Sequence, residues 1–443
     1  MDITIQNFLE NEYSNSALYS CYRSIASYVD GCKPSARKVV YTVKKRNLTA
    51  SSKVSRMSSA VAEETEYLHG EGSLQGVIVN MTQDFVGSNN IPLLSPDGNF
   101  GCRHIPMSSA ARYIFSRKSE NFDRIFNKLD DNILIPQEFE GSQIEPKYYI
   151  PILPLLLLNG SEGMGTGFAQ KILPRKMSDI TKAISQINAT GSTTNKLIPY
   201  YKGFKGKVKQ GINSNQWEII GNYSIVNTST IKITEIPIGY SLSSYLSVLN
   251  KLSDANVIKS YEDLCEDDEF LFIIKVQRPF TKLSDSEIIS KLKLIKRVSE
   301  NFTCIDENNS IHVFNSVEEI VNSFIKIRLD YYDKRKKALI AQYSKEISYL
   351  KSIQLFITSI IKGSLVVNNR PRANIIGQVE QIQDILKKDK SYDYLLRMPI
   401  YSLTKEKVDE LEKQINEKNK NLNYFIKSTA QSLWTVDLKE KFW

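Results

Sequence analysis

The sequence predicts an α+β multidomain chain made of a winged helix-turn-helix module, a mixed α/β middle and a long antiparallel helical hairpin with a small tip. Three observations predict it. Residues 33–83 show helical periodicity broken by short turns, and residues 215–238 and 270–279 alternate β-branched with polar side chains. Beyond residue 316 the spacing is helical again over two long runs. At 443 residues the chain has room for about two to four domains, and composition places their boundaries at 1–145, 146–315 and 316–443.

Each element has a local reason. In KPSARKVVYTVKKRN, Pro34 stands in the first helical turn, where its missing N–H costs nothing. A second helix is predicted from Ser51/Ser52, with Val54, Met57 and Val61 on one side. The glycine-bearing turn EYLHGEG leads to a third, with Leu74, Ile78 and Met81 aligned. NNIPLLSPDGNFG then sets Asp97-Gly98 between apolar runs, the pattern of a β-hairpin wing. A generic helical domain fits the same pattern. In the middle third, SLSSYLSVLNKL and DSEIISKLKLI read as helices between strands. Further on, Phe324, Tyr331, Ala338, Ile347, Leu350, Phe356 and Ile360 predict a helix over about 316–362. Val408, Leu411, Ile415, Leu422 and Phe425 form a heptad seam on a return helix over about 402–443. The segment of about 363–401 between them is the tip; one more helical bundle is the alternative.

Composition excludes several classes. Hydrophobic residues make up 41% and charged residues 24%, so the chain is neither disordered nor fibrous. With 58 Lys+Arg against 49 Asp+Glu the net charge is +9, a balance suited to a polyanion. The five cysteines are scattered without a CxxC pair, which argues against a disulfide framework or zinc site and for a reducing compartment. MDITIQNFLENEY does not read as a signal peptide, and the apolar run Ile152 to Leu158 is interrupted by Pro154 and too short to span a bilayer. A soluble, intracellular protein with no membrane partner is expected.

Few segments carry chemistry. Tyr113, in AARY, offers a phenol that can attack a phosphodiester and hold it as a phosphotyrosyl ester, and the adjacent Arg112 can grip non-bridging oxygens bidentately. Packing is the commoner fate of a tyrosine. His69 lies in the turn before the third helix, where a donor can face a phosphate, and Arg37 and Lys38 lie in a basic helix that could simply be solvated. NGSEGMGTGFAQK is a glycine-rich loop without the GxxxxGK[ST] spacing of a nucleotide cradle. Its Met164 could wedge between base steps, or the loop could be a tight packed turn. No DxDxDG or HExxH occurs, and EDLCEDDEF reads as a solvated turn, so a metal site on this chain is not predicted.

Taken in order, these segments resemble the breakage-rejoining region of type IIA DNA topoisomerases over essentially the whole chain. YVDGCKPSARKVVYTVKKRN resembles that family's DGxKPxxRK element, and AVAEETEYLHGEGSLQGVIVNMTQDFVGSNNIPLLSPDGNFG its helix-turn-helix and wing. SAARYIFSR resembles its active-site tyrosine motif, EPKYYIPILPLLLLNGSEGMGTGFAQKILP the approach to its DNA-bending shoulder (tower), and RMPIYSLTKEKVDELEKQ through SLW its returning coiled-coil helix. The glycine loop is closer to the eukaryotic and large-phage branch than to bacterial gyrase. The resemblance implies Tyr113 as nucleophile with Arg112 beside it, Arg37 on the scissile phosphate, and His69 as a phosphate donor. Lys33, Lys38, Lys53 and Ser73 become further DNA contacts, and Met164 the residue that bends the duplex. Two departures stand out: Leu68 precedes His69, and the stretch from Arg103 to Arg112 is shorter than in eukaryotic members.

It also implies double-stranded DNA as substrate, a homodimer closed through the tip (C-gate), and a partner subunit carrying the ATPase and Toprim parts with ATP and most of the Mg²⁺ ligands, as in the split enzymes of large phages. For a phage-encoded chain the site of action would be the host cytoplasm. A non-catalytic DNA-bending protein is the alternative. A tyrosine recombinase is disfavoured, because its Arg-His-Arg set precedes a late tyrosine.

Overall fold

The apolar positions that repeat at helical spacing in the first third are the ones that lie inside. In the computed structural model, which describes residues 4–388 and 390–439, Val54, Met57, Val61, Leu74 and Ile78 are all buried. They belong to helices Val54–Thr65 and Glu71–Thr82, which pack with helix Pro34–Lys45, itself opened by Pro34. The predicted start at Ser51/Ser52 is corrected: Ser52–Lys53 form a strand first. That strand pairs with Phe115–Lys118, which in turn pairs with Leu94–Asp97, giving a three-stranded wing. The Asp97-Gly98 hairpin is corrected too, because Asp97 pairs with Phe115 and residues 98–114 form a long loop between the strands.

The middle of the chain builds three sheets. Asn222–Asn227, Thr230–Glu235, Phe272–Lys275 and Ser260–Asp263 form one of four strands. Helices Leu242–Asp254 and Asp285–Lys291 pack on it, each started by a capping box, Ser241/Ser244 and Ser284/Glu287. The segment DSEIISKLKLI does not stay helical to its end. Lys293 turns the chain at positive φ, and Ile295–Ser299 becomes a strand beside Gln216–Ile220, whose other edge pairs with Lys207–Gln210. The third sheet joins the glycine-rich hairpin Ser161–Gly165/Phe168–Ile172 to Asn301–Ile305 and Ile311–Val313.

Contacts gather into two compact units, one holding the chain up to Arg328 with its last residues from Asp437, the other Leu329–Val436. Within the first unit the winged-helix and shoulder segments touch: Arg103, buried in the 98–114 loop, donates to the carbonyl of Ile236 at 2.9 Å. Helix Val317–Ile361 contributes its first turns to this unit and the rest to the other.

In the second unit that helix runs antiparallel to Lys405–Lys427. Lys336 donates to the carbonyl of Ser428 at 2.7 Å, Tyr343 stacks on Phe425 and Lys418 pairs with Glu346 at 2.5 Å. Leu411 and Ile415 of the predicted seam are buried. On the first arm the seam differs at one place: Ala338 is exposed and Leu339 is buried, because the inward positions step by four from Tyr331 through Arg335. The tip, with helices Arg372–Gln381 and Asp393–Leu396, closes a core of Phe356, Ile357, Leu365, Val379, Leu395 and Leu411.

Candidate active site and nucleic-acid interface

Tyr113 is held out of the surface by its neighbours. Residues 111–113 form a turn closed by the Tyr113 N–H on the Ala110 carbonyl at 2.9 Å; Ile114 after it is fully buried, while Tyr113 on the turn is 70% exposed. The turn is docked on the start of helix Val54–Thr65, whose first N–H groups have no partner within the helix. Val54 N–H donates to the carbonyl of Ile114 at 3.0 Å and Ser55 N–H to that of Ala111 at 3.1 Å. Arg112 is exposed, with no hydrogen-bond partner among the described residues. Lys53 is brought beside this turn by its pairing with Phe115, its ammonium 6.0 Å from that ring. Arg112, Tyr113 and Lys53 are thus all exposed, two on the turn and one on the strand that pairs just beyond it.

Arg37 lies inside the fold. Its guanidinium is 3% exposed and bidentate to Asp30, Nε to Oδ2 at 2.7 Å and Nη2 to Oδ1 at 3.2 Å. Burial alone would lower its pKa; the Asp30 carboxylate outweighs burial and raises it. Asp30 also accepts from the N–H groups of Cys32 and Tyr149, so the pair organises the turn before helix Pro34–Lys45. Lys38 donates to the Thr65 carbonyl at 2.8 Å and to Glu145 at 2.9 Å. Lys33 donates to the Glu162 carbonyl at 2.8 Å, which ties the turn to the glycine hairpin, and burial lowers its pKa. These three cations are spent within the fold.

His69 is exposed in the turn between the second and third helices. Its Nε2 lies 3.1 Å from the hydroxyl of Tyr19, and its ring meets Tyr67 edge-on. Ser73 is exposed in the first turn of helix Glu71–Thr82. Both line an open cleft of about 660 Å³, with Tyr19, Arg23 and Lys38 on its walls. Tyr113 does not line it.

Met164 projects from the glycine hairpin and is 82% exposed. The alternation G-M-G explains this. A Cβ on Gly163 would overlap the Ser24 carbonyl, and one on Gly165 would lie 2.7 Å from Cys21 Cα, so the glycines let this face of the strand lie against helix Ser14–Ser24. The intervening Met164 must then point the other way. Gln170 fastens the hairpin from behind by donating to the carbonyls of Ala26 and Thr303.

Sequence reasoning missed the residues that support these groups: Asp30, Glu145, Gln170 and Tyr19. Asp30 had a signal, standing within the DGCKP segment; the others are joined to their partners only by tertiary structure. Among the described residues no three His, Cys, Asp or Glu side chains converge on a metal position. No helix among them is long and apolar enough to cross a membrane.

A winged helix bearing an exposed Arg-Tyr turn, joined to a shoulder with a projecting hairpin and followed by antiparallel helical arms, defines a DNA-cleavage core of the topoisomerase type. The chain belongs to the A-subunit family of DNA gyrase and topoisomerase IV, whose model matches residues 23–439. It is 36% identical over 451 residues to the mitochondrial DNA topoisomerase 2 of Dictyostelium discoideum, an alignment covering 99% of this chain and 35% of that protein. To DNA topoisomerase 2 of Plasmodium falciparum it is 33% identical over 481 residues, covering 99% and 34%. The chain therefore spans about a third of the length of these relatives. In fold it matches the crystal structure of the DNA-binding, cleavage and re-ligation domain of Plasmodium falciparum topoisomerase II, with a TM-score of 0.88 and 34% identity over 99% of this chain and 64% of that one.

Proposed function

We propose that this chain performs the DNA-breaking and rejoining step of an ATP-dependent type II topoisomerase. The observation that carries this reading is the outward Tyr113 beside an exposed Arg112 that has no partner among the described residues. The phenol oxygen attacks a phosphorus of the duplex, forming the Tyr–O–P bond as the P–O bond to deoxyribose breaks and the displaced hydroxyl takes up a proton. Arg112 neutralises charge developing on the non-bridging oxygens. The ester keeps the energy of the broken linkage, so reversal reseals the strand without fuel. Two copies, each cutting one strand, open a gate for a second duplex.

Dimerisation through the tip is supported by Ile400 and Tyr401, 85% and 83% exposed. Type II topoisomerases use Mg²⁺ and ATP. We place the groups that bind both on a partner chain, an arrangement like that of the T-even phage enzyme, whose medium subunit this chain resembles. With Tyr113 inert, the Met164 hairpin would still serve a DNA-bending protein, and the test separates the two readings. The complete assembly is given supercoiled DNA, ATP and Mg²⁺, quenched with denaturant, and the DNA-bearing peptide identified by mass spectrometry. The adduct should map to Tyr113, and Tyr113→Phe should lose both adduct and relaxation. An adduct elsewhere, or equal relaxation by the variant, overturns the assignment. Relaxation by the 443-residue chain alone would overturn the placement of ATP and metal on a partner.

A further inference from the structure

The outer face of the glycine hairpin continues past Met164. Met164 pairs with Ala169 and Glu162 with Lys171, and alternation puts all four on the face turned away from Gly163 and Gly165. Two strand residues span about 7 Å, comparable to a minor groove about 6 Å wide. A backbone flanking a wedge at Met164 therefore passes over Lys171.

Beyond Lys171 the surface dips into a cleft of about 340 Å³ that Gly160, Gly239 and Lys296 also line. Lys296 comes from strand Ile295–Ser299. It pairs with the buried Ile219, so it shares the inward face of the sheet with Val298 while Arg297 points out. Its ammonium is half-buried and lies 5.8 Å from the Tyr240 ring, with no hydrogen bond or ion pair among the described residues. Gly239, at φ +93°, makes the room, since a Cβ there would strike that ammonium. Burial, followed by the nearby charge of Lys171, pushes the Lys296 pKa down; Glu162 pulls the other way, and Arg103 adds to the depression. The only carboxylate among these groups, Glu162, is 2.8 Å from Lys171 and largely exposed. Glu162 is thus the one carboxylate among the described residues that line the cleft, against the two cations Lys171 and Lys296.

We propose that this cleft binds a backbone phosphodiester of duplex DNA, held by Lys296 and Lys171 beside the step wedged by Met164. It rests on the reading that the chain binds duplex DNA. Glu162 competes with the phosphate for Lys171.

Affinity of the complete assembly for a short duplex, measured across KCl concentrations, tests the site. Each phosphate contact contributes close to one to the slope of log K against log salt. Lys296→Gln should reduce the slope by about one, Lys296→Arg should restore it, and Glu162→Gln should tighten binding. Met164→Ala should reduce bending and leave the slope in place. Wild-type assembly that fails to bind duplex overturns the DNA reading itself. Wild type that binds and bends, with Lys296→Gln at full slope or Glu162→Gln without gain, overturns the phosphate site alone.

Discussion

Arg37 stands in the first turn of helix Pro34–Lys45 and Arg112 in the turn before Ile114, and the two guanidiniums meet opposite surroundings. Arg37 is enclosed, both its forks spent on one carboxylate that in turn holds the N–H groups of Cys32 and Tyr149. Arg112 faces solvent with no partner among the described residues. A buried guanidinium loses its hydration and must be compensated in place, whereas an exposed one stays available for an incoming phosphate. Two arginines in motifs of equal clarity can thus meet unlike fates, one making the turn and the other left open to solvent.

The largest expected effect breaks or upholds that contrast at Arg37. Arg37→Met leaves Asp30 buried without its cation and should cost about 3–5 kcal/mol of stability, read as an earlier thermal transition of the full chain. An unmoved transition would place Arg37 with Arg112 instead. Arg112→Lys is the converse. An exposed substitution should leave the transition nearly where it is, within about 0.5 kcal/mol. Loss of the bidentate fork should slow cleavage by the assembly roughly 10²–10³-fold, the scale of one donor lost at a developing negative charge. A shifted transition with unchanged cleavage would reverse the assignment.

Local pattern was enough for much of the fold. Val54, Met57, Val61, Leu74, Ile78, Leu411 and Ile415 could be read as core from spacing alone, because a helix buries one face whatever lies opposite. Asp97-Gly98 could not be read correctly, since Asp97 finds its partner in Phe115 and the whole 98–114 loop intervenes. Arg175, fully buried on Glu300 at 2.6 Å, is another case: 125 residues separate the partners and no local period links them. Tyr113 is one of 23 tyrosines, and only the resemblance of its surrounding motif drew it out. Its exposure, which the proposed phosphoryl chemistry needs, depends on a helix start far earlier in the chain, at Val54 and Ser55. Lys171 and Lys296 carried no signal, because the cleft they share exists only once two sheets are placed.

The same contrast recurs at neighbouring residues in the glycine hairpin, and here the expected effects are smallest and most easily told apart. Gly163→Ala puts a methyl group into the Ser24 carbonyl. Because that oxygen belongs to backbone, strand or helix must shift, at a cost of about 1–3 kcal/mol visible as a lowered thermal transition without DNA. Met164→Ala removes an exposed side chain that packs on nothing behind it, so the transition should stay put. Its cost should appear only with duplex present, as a smaller bend in a circular-permutation gel and at most about a tenfold loss of affinity, because unstacking a base step takes a few kcal/mol that a methionine wedge partly offsets. If Met164→Ala lowered stability and left the bend intact, Met164 would belong with Gly163 and Arg37 among the residues that make the fold.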